Sequence, residues 1–157
     1  MKQTAFLSKG NPENTRAIPG AIFQFLATGA QTGNQFSLMY IEVQKGNEPP
    51  AHTHQLEDEN YYILEGAIRF WIGEDVFDAQ AGDFIHLPKN VPHRFELQSD
   101  VVKELMWMTP SGLEQWFWDN SAPAPEAKPL PLMTQPPDPE MMNHFVDSLA
   151  SYGVTMN

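Results

Sequence analysis

Between Ala21 and Thr109 the chain never runs more than about a dozen residues without a turn signal, and this spacing rules out long helices over most of its length. Segments of strand composition occupy 21–28, 34–43, 52–54, 60–65, 67–72, 75–80, 83–87, 93–98 and 101–109. The turns between them carry Gly29 to Gly33, Gly46 to Pro50, Gly66, Gly73, Gly82, Pro88 to Pro92, and Ser99 with Asp100. So many consecutive short strands must hide their edges, and an antiparallel jelly roll does this by folding two sheets into a barrel. The expectation is therefore an all-β domain, an antiparallel jelly-roll β-barrel over 21–110. At 157 residues the chain supports one such core, not two.

The flanks read differently. Residues 1–20 are turn-rich and suit an arm or short strand leading into the barrel. After Pro110, GLEQWFWD at 112–119 suits two helical turns. Residues 120–139 hold seven of the 14 prolines and read as an extended connection along the barrel surface. A short helical tail follows, with Asp138 as N-cap, Pro139 at the first helical position, Glu140 in the first turn and Gly153 as its stop. Met142, Phe145, Val146 and Leu149 form its apolar stripe, to be buried on the barrel or on a partner subunit.

Composition narrows the chemistry. With no cysteine, thiolate ligands, disulfides and a cysteine nucleophile are excluded, leaving His and carboxylates to bind metal. A formal charge of −11 disfavours nucleic acid and anionic membranes as partners. No apolar run approaches the ~18 residues that span a bilayer, and no leader pattern precedes the domain, so a cytoplasmic location is expected.

Four of the five histidines lie between positions 52 and 93. His52 and His54 are two apart on a strand and share a face, with Thr53 pointing away. Glu59 follows a polar turn and shares a face with Tyr61 and Ile63. His93 opens another strand after the Pro88 to Pro92 turn and brings a third imidazole to the same place. Inside a barrel, three imidazoles and a carboxylate are costly to desolvate unless a cation binds them. His86, alternating with Phe84, either faces the site or is exposed, and His144 lies on the polar side of the last helix.

These residues resemble the cupin superfamily. Gly46, His52, His54, Glu59 and Gly66 fit the spacing of its first motif, and Gly82, Pro88 and His93 fit the second. Glu59 rather than Glu57 is the carboxylate, because it keeps the six-residue step to Gly66. Asn90 replaces a glycine of the second motif and Leu97 an asparagine; Asn tolerates left-handed geometry, so the turn is kept. The tail, PSGLEQWFWDN with a final SYGV, is similar to single-domain bacterial cupins of the quercetin 2,3-dioxygenase-like kind. The resemblance implies one divalent transition metal on His52, His54, Glu59 and His93, with iron, manganese or nickel favoured over copper, cobalt or zinc. One or two coordination positions would stay open.

The implied activity is a dioxygenase reaction of O2 with a flavonol-like or other aromatic enol, with Glu59 as the base. An O2-independent isomerase or lyase and a non-catalytic small-ligand binder are the competing readings. Tyr61, Phe70, Phe84, Phe95 and Trp107 are expected to line the substrate pocket. The resemblance also implies a homodimer, with Trp116 to Trp118 and the last helix as contact surface.

Overall fold

The computed structural model describes residues 4–135 and 138–157; Pro136 and Pro137 of the Pro-rich connection, and the first three residues of the arm, lie outside the described residues. After a 3-10 turn at Pro12–Asn14 come β1 (Thr15–Ile18), β2 (Ala21–Ala27), the short α1 (Gly29–Thr32), β3 (Ser37–Gln44), β4 (His52–His54), β5 (Asp58–Glu65) and β6 (Ala67–Ile72). They are followed by β7 (Asp75–Gln80), β8 (Phe84–Leu87), β9 (His93–Leu97), β10 (Val101–Thr109), α2 (Glu114–Asp119), β11 (Ala122–Pro123), α3 (Pro139–Ala150) and β12 (Val154–Met156).

The strands form two sheets, in the orders β11-β1-β2-β3-β10-β5-β8 and β12-β4-β9-β6-β7. Every ladder between these strands is antiparallel, as a jelly roll requires. Side-chain alternation drives the packing. On β10, Val102, Glu104, Met106 and Met108 are buried while Val101, Lys103, Leu105 and Trp107 are only half-buried. On β3 the buried set is Ser37, Met39, Ile41 and Val43. The core sits between the sheets, where Phe23, Phe25, Met39, Ile41 and Ile63 meet Ile68, Phe70, Ile72 and Leu97. Each such side chain contributes roughly 1.5–3 kcal/mol of apolar burial.

Three elements depart from the sequence-based expectation. The segment expected to enter a strand at Asn34 first makes α1, capped by Thr28 and Gln31 and ended by Gly33 at φ 66, so the strand starts at Ser37. The fifth strand begins at Asp58, which places Glu59 within it. Beyond α3, whose N-cap Asp138 accepts the Met141 N–H at 2.8 Å, Gly153 (φ 77) turns the chain back to form β12. A Cβ on Gly153 would stand 2.7 Å from the Leu56 side chain, so both the angle and the space favour glycine.

The aromatic run of α2 is consumed within the chain. Trp116 is buried, donates its indole N–H to Ser148 Oγ of α3 at 2.9 Å, and packs edge-on against Phe145. Phe117 packs on Phe23, and Trp118 on Phe25. Of the α3 stripe, Leu149 is buried, Phe145 and Val146 are half-buried, and Met142 is exposed.

Candidate metal centre

Strand β4 is only three residues long, and its alternation turns His52 and His54 inward while Thr53 faces out. His93, the first residue of β9, pairs directly with His52 across the ladder. The turn before it holds Asn90 at φ 63, and the Asn90 N–H donates to the His54 carbonyl at 2.7 Å. The asparagine thus takes the left-handed geometry for which glycine is usual, and ties the β8–β9 turn to β4. Glu59 reaches the histidines from the other sheet.

The donor atoms of His52, His54, Glu59 and His93 all lie within 4.8 Å of one another, and all four side chains are buried. The imidazole centroids are 4.5 to 5.2 Å apart. The far side of each ring is engaged. His52 Nδ1 is 2.9 Å from the Pro50 carbonyl, His93 Nδ1 is 3.1 Å from the Val91 carbonyl, and His54 Nδ1 is 2.9 Å from Glu57 Oε1. A carbonyl only accepts, so His52 and His93 carry a proton at Nδ1, and the Glu57 carboxylate selects the same tautomer at His54; each ring when neutral presents its lone pair at Nε2. His93 Nε2 is buried without a hydrogen bond, 3.5 Å from Glu59 Oε2. Three imidazole lone pairs and a carboxylate fit a divalent cation about 2.0–2.2 Å from each donor, and such an ion would satisfy the orphaned nitrogen.

Charge at the site is coupled. Burial opposes ionisation of Glu59, but His54, His93 and His52 outweigh it and hold its pKa down at about 2. Burial lowers the pKa of His52. For His54 burial acts in the same sense, yet Glu59 and Glu57 overcome it and the net shift is upward.

Among the residues expected to line a pocket, three come together. Tyr61 lies on the inward face of β5 two residues from Glu59, and its ring lies 5.5 Å from Phe70 and 6.2 Å from Phe95. Burial raises the Tyr61 pKa well above its usual value. Phe84 and Trp107 do not join them. Phe84 is 55% exposed and stacks on Trp107 at 5.5 Å on the outer face of the larger sheet. The inward positions of β8 are Ile85 and Leu87, and those of β10 are the even-numbered residues, so parity turns both aromatics outward. His86 shares that outer face and meets Asn60 Oδ1 at 2.8 Å; His144 is exposed.

The sequence does not show the roles of two further acids. Glu57, three residues after the His-Thr-His pair, is buried and holds His54. Glu104 is 2% exposed, and its Oε2 has no hydrogen bond. Burial, reinforced by Glu59, pushes its pKa up to about 8. Glu104 shares its face with Met106 and Met108, but VVKELMWM is apolar on both faces, so the sequence carries no signal that this face turns inward.

Comparison with known proteins decides the family. A cupin domain model matches residues 39–109, a span that contains all four donors. The chain is a cupin. This cupin is 29% identical over 106 residues to quercetin 2,3-dioxygenase of Bacillus subtilis, covering 67% of this chain and 32% of that protein. It is 27% identical over 104 residues to quercetin 2,3-dioxygenase of Aspergillus japonicus, covering 62% of this chain and 30% of that one. The cupin thus spans about a third of the length of these relatives. Among solved structures, KdgF from Halomonas sp. superposes with a TM-score of 0.61 at 16% identity, covering 71% of this chain and 99% of that chain, which places the fold alone.

Proposed function

We propose that this cupin is a metal-dependent dioxygenase acting on a flavonol-like or other aromatic enol. The observation that carries the reading is the set of three histidines with Nδ1 engaged and Nε2 turned toward a buried carboxylate. The likeness to two quercetin 2,3-dioxygenases supports the choice of substrate class. Iron, manganese or nickel is preferred over copper, cobalt or zinc. When bound, the ion supplies Lewis acidity and, for a redox-active metal, a path for electrons from an enolate to O2.

The chain's own residues supply the rest. Glu59, with its pKa held near 2, is a carboxylate at neutral pH and takes the enol proton. Phe95, half-buried and packed on the buried Phe70, offers apolar surface to an aromatic ring. The test is O2 uptake by metal-reconstituted protein with a flavonol, lost in His52→Ala and in Glu59→Ala. Turnover at the buffer rate across a panel of metals rejects the reading. Turnover that persists without O2 assigns a lyase or isomerase, and binding without turnover a ligand-holding module.

The outer sheet face is the proposed contact with a second copy. Leu38, Tyr40, Leu105, Trp107, Tyr62 and Phe84 are neighbours across β3, β10, β5 and β8 on that face. Two copies of a chain carrying −11 repel each other, so self-association favours an uncharged patch such as this one.

A further inference from the structure

The outer face of the larger sheet is covered on one side and bare on the other. Near β1 its outward residues Ala17 and Ile22 cluster with Ala124, and Tyr40 packs against them. Beyond Tyr40 the apolar residues are open to solvent: Phe36 is 37% exposed, Tyr62 38% and Phe84 55%. An open cleft of about 480 Å³ lies in this bare part, lined by Gln35, Phe36, Leu38, Leu105, Trp107 and Thr109. That size is within the range of sites that bury ligands larger than one side chain, and its walls are mostly apolar.

The N-terminal arm leaves from the same face. Gln24 points outward on β2 and donates to Thr15 Oγ1 at 3.3 Å, and the Thr15 hydroxyl donates to the Asn11 carbonyl at 2.9 Å. Gly10 comes so close to Gln24 that a Cβ there would stand 2.8 Å from Gln24 Oε1. The root of the arm is thus pinned beside Tyr40, the register partner of Gln24 on β3. Residues 4–7 are exposed, with Phe6 at 47% and Leu7 at 82%, and neither lines the cleft of its own chain. Two such side chains gain by burial against an apolar wall.

Charge and reach indicate the wall of a second copy. The first twelve residues hold Lys2 and Lys9 and no acid, whereas the whole chain carries −11. Across the outer face the register sets Glu42, Lys103 and Glu65 side by side, one acid more than base. The arm is therefore drawn toward another copy, although the two acidic bodies repel. Sheets packed face to face stand about 10 Å apart, and the four residues from Gly10 to Phe6, when extended, span about 13 Å.

We propose that the N-terminal arm is exchanged between two copies of this cupin, with Phe6 and Leu7 of each occupying the apolar cleft of the other. This rests on the outer-face contact put forward above and names the segment that holds the two faces together. Phe6 and Leu7 supply the apolar contact, and Lys9 brings a positive charge to a face with an excess of acid.

The test is sedimentation equilibrium of wild type and of two arm variants. Phe6→Ser with Leu7→Ser should raise the dimer dissociation constant about a hundredfold, about tenfold for each arm lost. Phe6→Leu with Leu7→Phe keeps the apolar surface and should stay within a factor of about three. Metal content should be the same in all three proteins. The chain has no cysteine, so Leu7→Cys and Gln35→Cys proteins can be made separately, mixed and treated with a short bis-maleimide. A covalent pair joining one of each is expected. Linkage found only within single chains that carry both substitutions assigns the arm to its own cleft and overturns the inference. A wild-type dimer matched in affinity by the double serine variant also overturns it and leaves the outer-face contact standing. Wild type that stays monomeric across the concentration range overturns the outer-face reading itself, and this inference with it.

Discussion

Glu57 Oε1 stands 2.9 Å from His54 Nδ1, with both side chains buried. It fixes the tautomer and the angle of a ring whose Nε2 faces the other donors, as acids behind metal-bound imidazoles do. Replacing Glu57 by Leu removes no ligand, yet metal affinity should fall roughly 10- to 100-fold. Glu57→Gln keeps an acceptor and should lose less. Competition titration against a chromophoric chelator reads both, and equal affinities for wild type and Glu57→Leu would show that the contact does not tune the site.

Glu104 makes the metal-free protein sensitive to pH. Its folded pKa of about 8 lies above the ordinary 4.5, so between these values the folded state binds more protons than the unfolded one. The stabilisation relative to unfolded chain is complete below pH 4.5 and lost as pH rises through 8. Glu59 runs the other way: its stabilisation is present above 4.5 and lost as pH falls through about 2. His52, with its pKa lowered, and His54, with its pKa raised, add pH dependences of their own, which makes the difference between wild type and Glu104→Gln the informative quantity. From pH 5 to pH 8, with a chelator present, wild type should lose more stability to urea than the variant. Parallel pH profiles would contradict this.

Much of the fold is legible in local pattern. The segments 67–72, 75–80 and 101–109 coincide with strands because glycine, proline or serine brackets them, 52–54 because Pro50 and the polar turn from Gln55 do, and because alternation needs only nearest neighbours. The gathering of the four donors follows from the same period of two, applied to His52 and His54. Parity of Phe84 and Trp107 is not legible in this way. Both FIHL and VVKELMWMT carry apolar residues on both faces, so hydrophobicity cannot say which face turns inward. The support of Glu57 for His54 depends on how a polar turn closes, and the pairing of β12 with β4 joins residues a hundred positions apart. Neither leaves a periodic trace.

The outer aromatic face offers a direct test of association. Trp107→Lys places a charge beside Phe84 at the middle of that face and touches no donor. Wild type should sediment as a homodimer and the variant as a monomer with unchanged metal content. A monomeric wild type, or a dimeric variant, would move the interface elsewhere or remove it. Trp116 is a poor place for it, since its ring is buried against α3.

The strand that carries two donors depends on β12 for its backbone support. Among the described residues, β4 has a single register pair with β9, His52 with His93, against three with β12: Val154 with His54, Thr155 with Thr53, and Met156 with His52. The Gln55 N–H donates to the Gly153 carbonyl at 2.8 Å and the Asn157 N–H to the Ala51 carbonyl at 2.9 Å. Bonded pairs alternate along an antiparallel ladder, which makes Thr155 with Thr53 the bonded pair between them. Val154 is buried beside His54 and blocks its sideways movement. Thr155→Pro removes the central N–H and strains the clasp, whereas Thr155→Val keeps it. The proline variant should release metal to excess chelator faster than wild type, by roughly tenfold if one net hydrogen bond of about 1 kcal/mol and some packing are lost. The valine variant should release it at the wild-type rate. Identical rates for all three would mean that β4 holds its histidines without help from β12.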